Sequence, residues 1–164
     1  MSESFIFFSP SRGALNFEGV MKEIADYLCE DSKRNYKIII GTDSQLQGNI
    51  ADFVTAIVIH RIGRGGRYFW QKTTKGHFFS LRQRIYEEVN YSLSMAQKVV
   101  NSLNNYLADK SLLDRGLEIH VDVGENGETR ELVREVVNIV RGNGFHVKTK
   151  PESFGASKVA DKHT

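Results

Sequence analysis

Apolar residues recur along this chain with two periods, and each change of period marks an element. Phe17, Val20, Met21, Ile24 and Leu28 fall at helical spacing behind Asn16, a residue suited to cap a helix start. Residues 38–40 are three consecutive isoleucines, as in a strand buried between two layers, and polarity then flips at Gly41, Thr42, Asp43, Ser44 and Gln45. Residues 51–62, rich in Val, Ile, Thr and Phe, predict a second strand. The glycines of 63–66 suit a hairpin turn, and 67–74 predict the returning strand. No Gly or Pro occurs from 80 to 110, where Leu81, Ile85, Val89, Ala96, Val99, Leu103 and Leu107 predict one long amphipathic helix. Residues 117–123 alternate as a fourth strand. Residues 128–140 predict a helix stopped by Gly142 and Gly144, and 145–150 a fifth strand ended by Pro151. Residues 156–164 predict a short terminal helix. At the other end, the FIFF of 5–8 reads as a short strand or an extended arm before a turn-rich connector.

A hairpin follows the first strand, so the first half suits antiparallel pairing. The second half, strand–helix–strand, suits right-handed parallel crossovers. The expectation is an α/β fold: a mixed five-stranded sheet of order 3-2-1-4-5 flanked by helices. The order reverses between the first and fourth strands, and ligands of open α/β sheets collect at the carboxyl ends of strands at such a point. A length of 164 residues suggests a single domain over 1–164, with an N-terminal helical extension over about 1–35.

Composition narrows the class without choosing a function. Hydrophobic residues make up 40% and charged residues 26%, as in an ordinary globular protein. A net charge of +2 neither argues for nucleic acid nor forbids it, because a local patch matters more than the total. The single cysteine, Cys29, excludes an internal disulfide and is expected as a small buried residue of the first helix. No apolar run is long enough to span a bilayer, and the N-terminus lacks the basic start of a signal peptide, so the expectation is a cytoplasmic protein without a membrane partner.

The candidate chemistry lies in the acids. Asp43 follows the first strand, and Asp122 lies near the end of the fourth. If those strands are parallel neighbours, both carboxylates reach the same end of the sheet, where like charges call for a divalent cation. Hard oxygen donors point to Mg²⁺ or Mn²⁺. The long helix offers Glu87 and Glu88. At about 100° per residue, Glu88 joins the stripe of Ile85 and Glu87 points to water. A lone buried charge is costly, so Glu88 needs a partner that a cation would supply. Glu125, in the loop after the fourth strand, is an alternative ligand, and Asp161, in a helix too short to have a readable phase, ranks below the other three. His60, His120 and His146 show no metal-ligand spacing and read as structural.

The segments IIIGTDSQ, RIYEEVNYSLSMA, HVDVGENGETRELV and KPESFGASKVADKHT resemble the bacterial YkuK-like family of predicted ribonuclease H-like nucleases, from about residue 17 to the end of the chain. The resemblance implies phosphodiester hydrolysis with two Mg²⁺ or Mn²⁺ ions. It implies Asp43, Glu88, Asp122 and Asp161 as ligands and catalytic acids; Asp43 is the expected bridge because a rigid strand end suits that role. The fourth residue and the reaction come from the resemblance alone. Nucleic acid (RNA, DNA or hybrid) is then the expected partner. Lys72, Lys75, Arg82, Arg84, Lys150 and Lys158 are candidate phosphate contacts, with Tyr68, Trp70, Phe78 and Phe79 available for stacking. The rival expectation is a non-catalytic module of the same fold that binds nucleic acid or a protein. An actin-like nucleotide-binding half ranks last, since that class needs two lobes.

Overall fold

The computed structural model describes residues 6–107, 117–153 and 163. The first described strands are short: β1 (Phe7–Ser9) and β2 (Gly13–Leu15). Helix α1 (Phe17–Glu30) follows, and the Asn16 side chain caps it by accepting from the Gly19 amide at 2.8 Å. Three long strands come next, β3 (Tyr36–Gln47), β4 (Ile50–Arg61) and β5 (Gly66–Gly76). Helix α2 (Leu81–Leu103) is capped by Ser80, and strand β6 (Leu117–His120) follows. A 3₁₀ turn (Arg130–Leu132) leads into helix α3 (Val133–Gly142) and strand β7 (His146–Lys148).

The sheet order is β2-β1-β5-β4-β3-β6-β7. Five consecutive strands, β5-β4-β3-β6-β7, are those read from the hydrophobic pattern, in the expected order. Among the described residues the sheet has seven strands rather than five because β1 and β2 form an antiparallel hairpin that adds to the β5 edge through Phe8 and Trp70. Three-residue strands carry too few residues for a period to be seen. Phe7 and the inner face of α1 belong to the same core as the rest of the chain.

Helices α1, α2 and α3 cover one face. Ile38 and Ile40 of β3, Ile57 and Ile59 of β4, and Leu117 and Ile119 of β6 pack with Ile24 of α1, Val89 and Ala96 of α2, and Val136 of α3. The expected long helix ends at Leu103, followed by a turn over 104–106. Leu107 still packs against the core from beyond the helix end, so an apolar residue at helical spacing does not by itself extend a helix. Cys29 is exposed rather than buried, since it lies in the last turn of α1 on the face away from Leu28. Among the described residues, no helix is long and apolar enough to cross a membrane.

The polar half of β3 differs most from expectation. The strand does not end at Ile40; it runs to Gln47, because β4 pairs with all of it from Tyr36 to Gln47. On its other side β6 runs parallel and pairs only with Ile38 to Gly41. Among the described residues, 42–47 therefore have a neighbouring strand on one side only. Thr42 bridges the sheet to α2, with its hydroxyl 3.1 Å from that of Thr55 and 2.8 Å from that of Ser92. All three hydroxyls are buried. Thr42→Val keeps the shape and leaves two buried hydroxyls without this partner, so it is expected to cost about 1–3 kcal/mol in urea unfolding. A change under about 0.5 kcal/mol would mean that the bridge does not hold α2 on the sheet.

Candidate functional site

The last parallel pair of β3 and β6 is Gly41 with His120. Two residues further along each segment stand Asp43 and Asp122, so both acids lie at the same end of the sheet, at the reversal of strand order. Both are half-buried, and both line a cleft of about 340 Å³ with Ser44, Arg84, Glu88, Asn126, Glu128, Thr129 and Lys150. Asn126, Glu128 and Thr129 come from the loop after β6. Glu125 is not among the lining residues, whereas Glu128 is. The only sequence signal for Glu128 is its place in the GENGET loop.

Glu88 is the third acid of this cleft, and helix phase explains its position. It is 4% exposed, on the stripe of Ile85, Val89 and Ser92. The Ser44 hydroxyl donates to Glu88 Oε1 at 2.6 Å, which ties α2 to β3 at the level of Asp43. Glu88 Oε2 is buried and, among the described residues, has no hydrogen-bond partner. Burial pushes the Glu88 carboxyl up to about 8; the Ser44 hydrogen bond opposes the shift, Asp43 and Asp122 add to it, and Arg84 opposes it. Glu87 lies on a different side of α2. It is half-buried rather than fully solvated, because Lys75 Nζ reaches its Oε1 at 2.7 Å.

The donor set is chemically suited to a hard divalent cation. All three acids offer carboxylate oxygens, and the unmatched Glu88 Oε2 is an acceptor that a cation would satisfy. Among the described residues, no three His, Cys, Asp or Glu side chains stand close enough together to hold an ion as they are. Asp122 already has a positive neighbour, Lys150, whose Nζ is 2.9 Å from Asp122 Oδ1. Asp161 and Lys158 lie outside the described residues.

The remaining expected phosphate contacts all have acidic or carbonyl partners. Lys72 pairs with Asp52 at 3.3 Å, Lys75 with Glu87, and Arg82 with Glu135 at 3.0 Å. Arg84 Nη1 donates to the Ser44 carbonyl and hydroxyl, each at 3.3 Å, and its buried Nε has no hydrogen-bond partner. Of these four, only Arg84 lines the acidic cleft. Phe79 is 79% exposed, whereas Phe78 is buried against Phe53. Trp70 stacks on His163, with ring centroids 4.2 Å apart.

A larger cavity of about 690 Å³ opens around Lys37, Ile39, Val58, Glu118 and His120. It lies on the opposite face of the sheet, since Ile39 alternates with the core-facing Ile38 and Ile40. Its Glu118 carboxylate is satisfied by Lys37 at 3.2 Å and His120 at 3.0 Å, and burial pushes His120 below its ordinary pKa. It contains none of Asp43, Glu88 or Asp122, so size does not make it the candidate site.

Residues 19–164 match the family model described as Ribonuclease H-like. The uncharacterized protein YkuK of Bacillus subtilis (strain 168) is 30% identical over 174 aligned residues, which cover 100% of this chain and 99% of that protein. No solved structure gives a significant match.

Proposed function

The chain belongs to the ribonuclease H-like family, and on that premise we propose that it hydrolyses phosphodiester bonds of RNA or DNA with divalent cations held in the acidic cleft. The observation that carries this reading is Glu88, a buried carboxyl with one unmatched oxygen, within reach of the charges of Asp43 and Asp122. Asp43, Glu88 and Asp122 would hold Mg²⁺ or Mn²⁺, with Asp161 as a fourth acid. Bound there, two such ions supply an activated water and offset charge on the leaving oxygen.

The chain's own groups account for the rest. Strand β3, paired with β4 along its full length, gives Asp43 a rigid base. Ser44 holds Glu88 Oε1 and so fixes the carboxylate while Oε2 remains available. Arg84 sets a permanent positive charge beside the acids. Lys72, Lys75, Arg82 and Lys150 would exchange carboxylate partners for backbone phosphates, with Lys158 as a further phosphate contact, which makes binding fall as salt rises.

One observation favours a second reading. Lys150 already neutralises Asp122, as it would in a non-catalytic module that binds nucleic acid or a protein without metal. Incubation with Mg²⁺ or Mn²⁺ and labelled RNA, DNA and hybrid duplexes separates the two. Cleavage that requires the cation supports the nuclease. Binding without cleavage under every metal condition supports the module.

A further inference from the structure

Lys150 does more than border the cleft. Its amide donates to the Val123 carbonyl at 2.8 Å, and the Val121 amide donates to the Lys148 carbonyl at 3.0 Å. These bonds carry the β6–β7 pairing one step beyond the strands and lay residue 150 against the loop that holds Asp122. The approach is so close that a Cβ on Gly124 would stand 2.9 Å from Lys150 Cβ. Glycine at 124 leaves the space that the Lys150 stem fills. From this anchored stem the ammonium reaches Asp122 Oδ1 at 2.9 Å. The anchored backbone of residue 150 therefore delivers the charge to this one acid of the cleft.

An ammonium at 2.9 Å from Asp122 Oδ1 occupies one acceptor site of that carboxylate and repels a second positive ion there, so it competes with a divalent cation for Asp122. We propose that Lys150 is a tethered stand-in for the metal: it holds Asp122 when no cation is bound and competes with a cation for that carboxylate, so it sets the cation affinity of the cleft. This rests on the metal-dependent reading above and deepens it. The pair suits such an exchange. The Lys150 side chain is 54% exposed and that of Asp122 is 35% exposed, so withdrawal strands neither charge in a dry interior. The long lysine stem can swing away while the backbone stays in place.

The test is calorimetric titration of the full chain with Mn²⁺ and with Mg²⁺, without nucleic acid, so that the readout is affinity rather than turnover. Lys150→Gln is expected to bind the cation roughly two- to fivefold more tightly than the wild type, which corresponds to removing a half-exposed competing ion pair. Lys150→Arg keeps the charge and should show no such gain. Lys148→Gln removes the same charge two residues away, outside the cleft, and should leave affinity unchanged. In an Asp122→Asn background the gain from Lys150→Gln should vanish, as a double-mutant cycle requires of a direct pair. Cation binding by the wild type that Lys150→Gln does not strengthen overturns the stand-in and leaves the nuclease reading in place. An equal gain from Lys148→Gln also overturns it, since net charge would then suffice. Failure of both wild type and Lys150→Gln to bind either cation overturns the metal-dependent reading and the stand-in with it. Lys150 is exposed at its tip, so each variant is expected to melt within a few degrees of the wild type when metal-free, and the melting curve is the folding control.

Discussion

Asp43→Asn is expected to remove metal-dependent cleavage, with a rate loss of roughly 10²-fold or more, while the protein stays folded. The substitution keeps the shape of a half-buried residue inside a twelve-residue strand that β4 pairs throughout. What it removes is a cleft charge felt at Glu88. Asp122→Asn should cost a comparable factor. Glu87→Gln serves as the contrast. It breaks a surface pair with Lys75 and leaves the cleft alone, so it should change stability by about 0.5 kcal/mol or less and cleavage hardly at all. Single-turnover cleavage of labelled substrate, with circular dichroism as the folding check, measures all three. Loss of cleavage in Glu87→Gln beside normal cleavage in Asp43→Asn would move the chemistry to another part of the surface.

Glu88→Gln is expected to raise the stability of the metal-free protein at pH 8 and to remove most of its stabilisation by divalent cation. Burial lifts the folded-state pKa of Glu88 to about 8, above an ordinary value near 4.5. Between those values the folded protein keeps a proton that the unfolded chain releases. Stability from this group is therefore fully present below about pH 4.5 and is lost as pH rises toward 8. Ionising a carboxyl held that far above its ordinary pKa costs the wild type on the order of a few kcal/mol at pH 8. Glutamine carries no charge and escapes that cost. A cation bound to the carboxylate inverts the effect for the wild type by stabilising the charged form. Melting curves from pH 5 to 9, with and without Mg²⁺, should thus cross: the variant is the more stable protein without metal at pH 8 and gains much less when metal is added. Parallel curves for the two proteins would show that Glu88 is neither strained by burial nor a ligand.

The elements that position this cleft can be read from the chain because burial on both faces, or along one helical stripe, leaves a strong period. Ile38 to Ile40, the repeat of Ile85, Val89, Ala96 and Val99, and the phase that buries Glu88 all have that origin. Strand order follows from a hairpin whose turn is rich in glycine and from crossovers of one hand. Elements set by pairing rather than by burial are harder to read. The hairpin of β1 and β2 is too short to show a period, and the polar end of β3 is a strand only because β4 continues beside it. The end of α2 at Leu103 has no Gly or Pro to mark it.

The site divides along the same line. That Asp43 and Asp122 share one end of the sheet follows from topology. That Lys150 meets Asp122, or that Glu128 lines the cleft, depends on the path of one loop and the reach of one side chain, which no periodicity encodes. For the same reason the basic residues are visible in the sequence but their partners are not. Lys72, Lys75 and Arg82 each meet an acid distant in sequence.

Convergence of Asp43, Glu88 and Asp122 on a divalent cation is tested most directly by anomalous scattering from crystals of this protein grown with Mn²⁺. A manganese peak is expected in the cleft, within ligand distance of Glu88 Oε2 and of Asp43 and Asp122 carboxylate oxygens, with Lys150 withdrawn from Asp122. A cleft without a manganese peak, with Lys150 still on Asp122 at saturating Mn²⁺, would contradict that convergence.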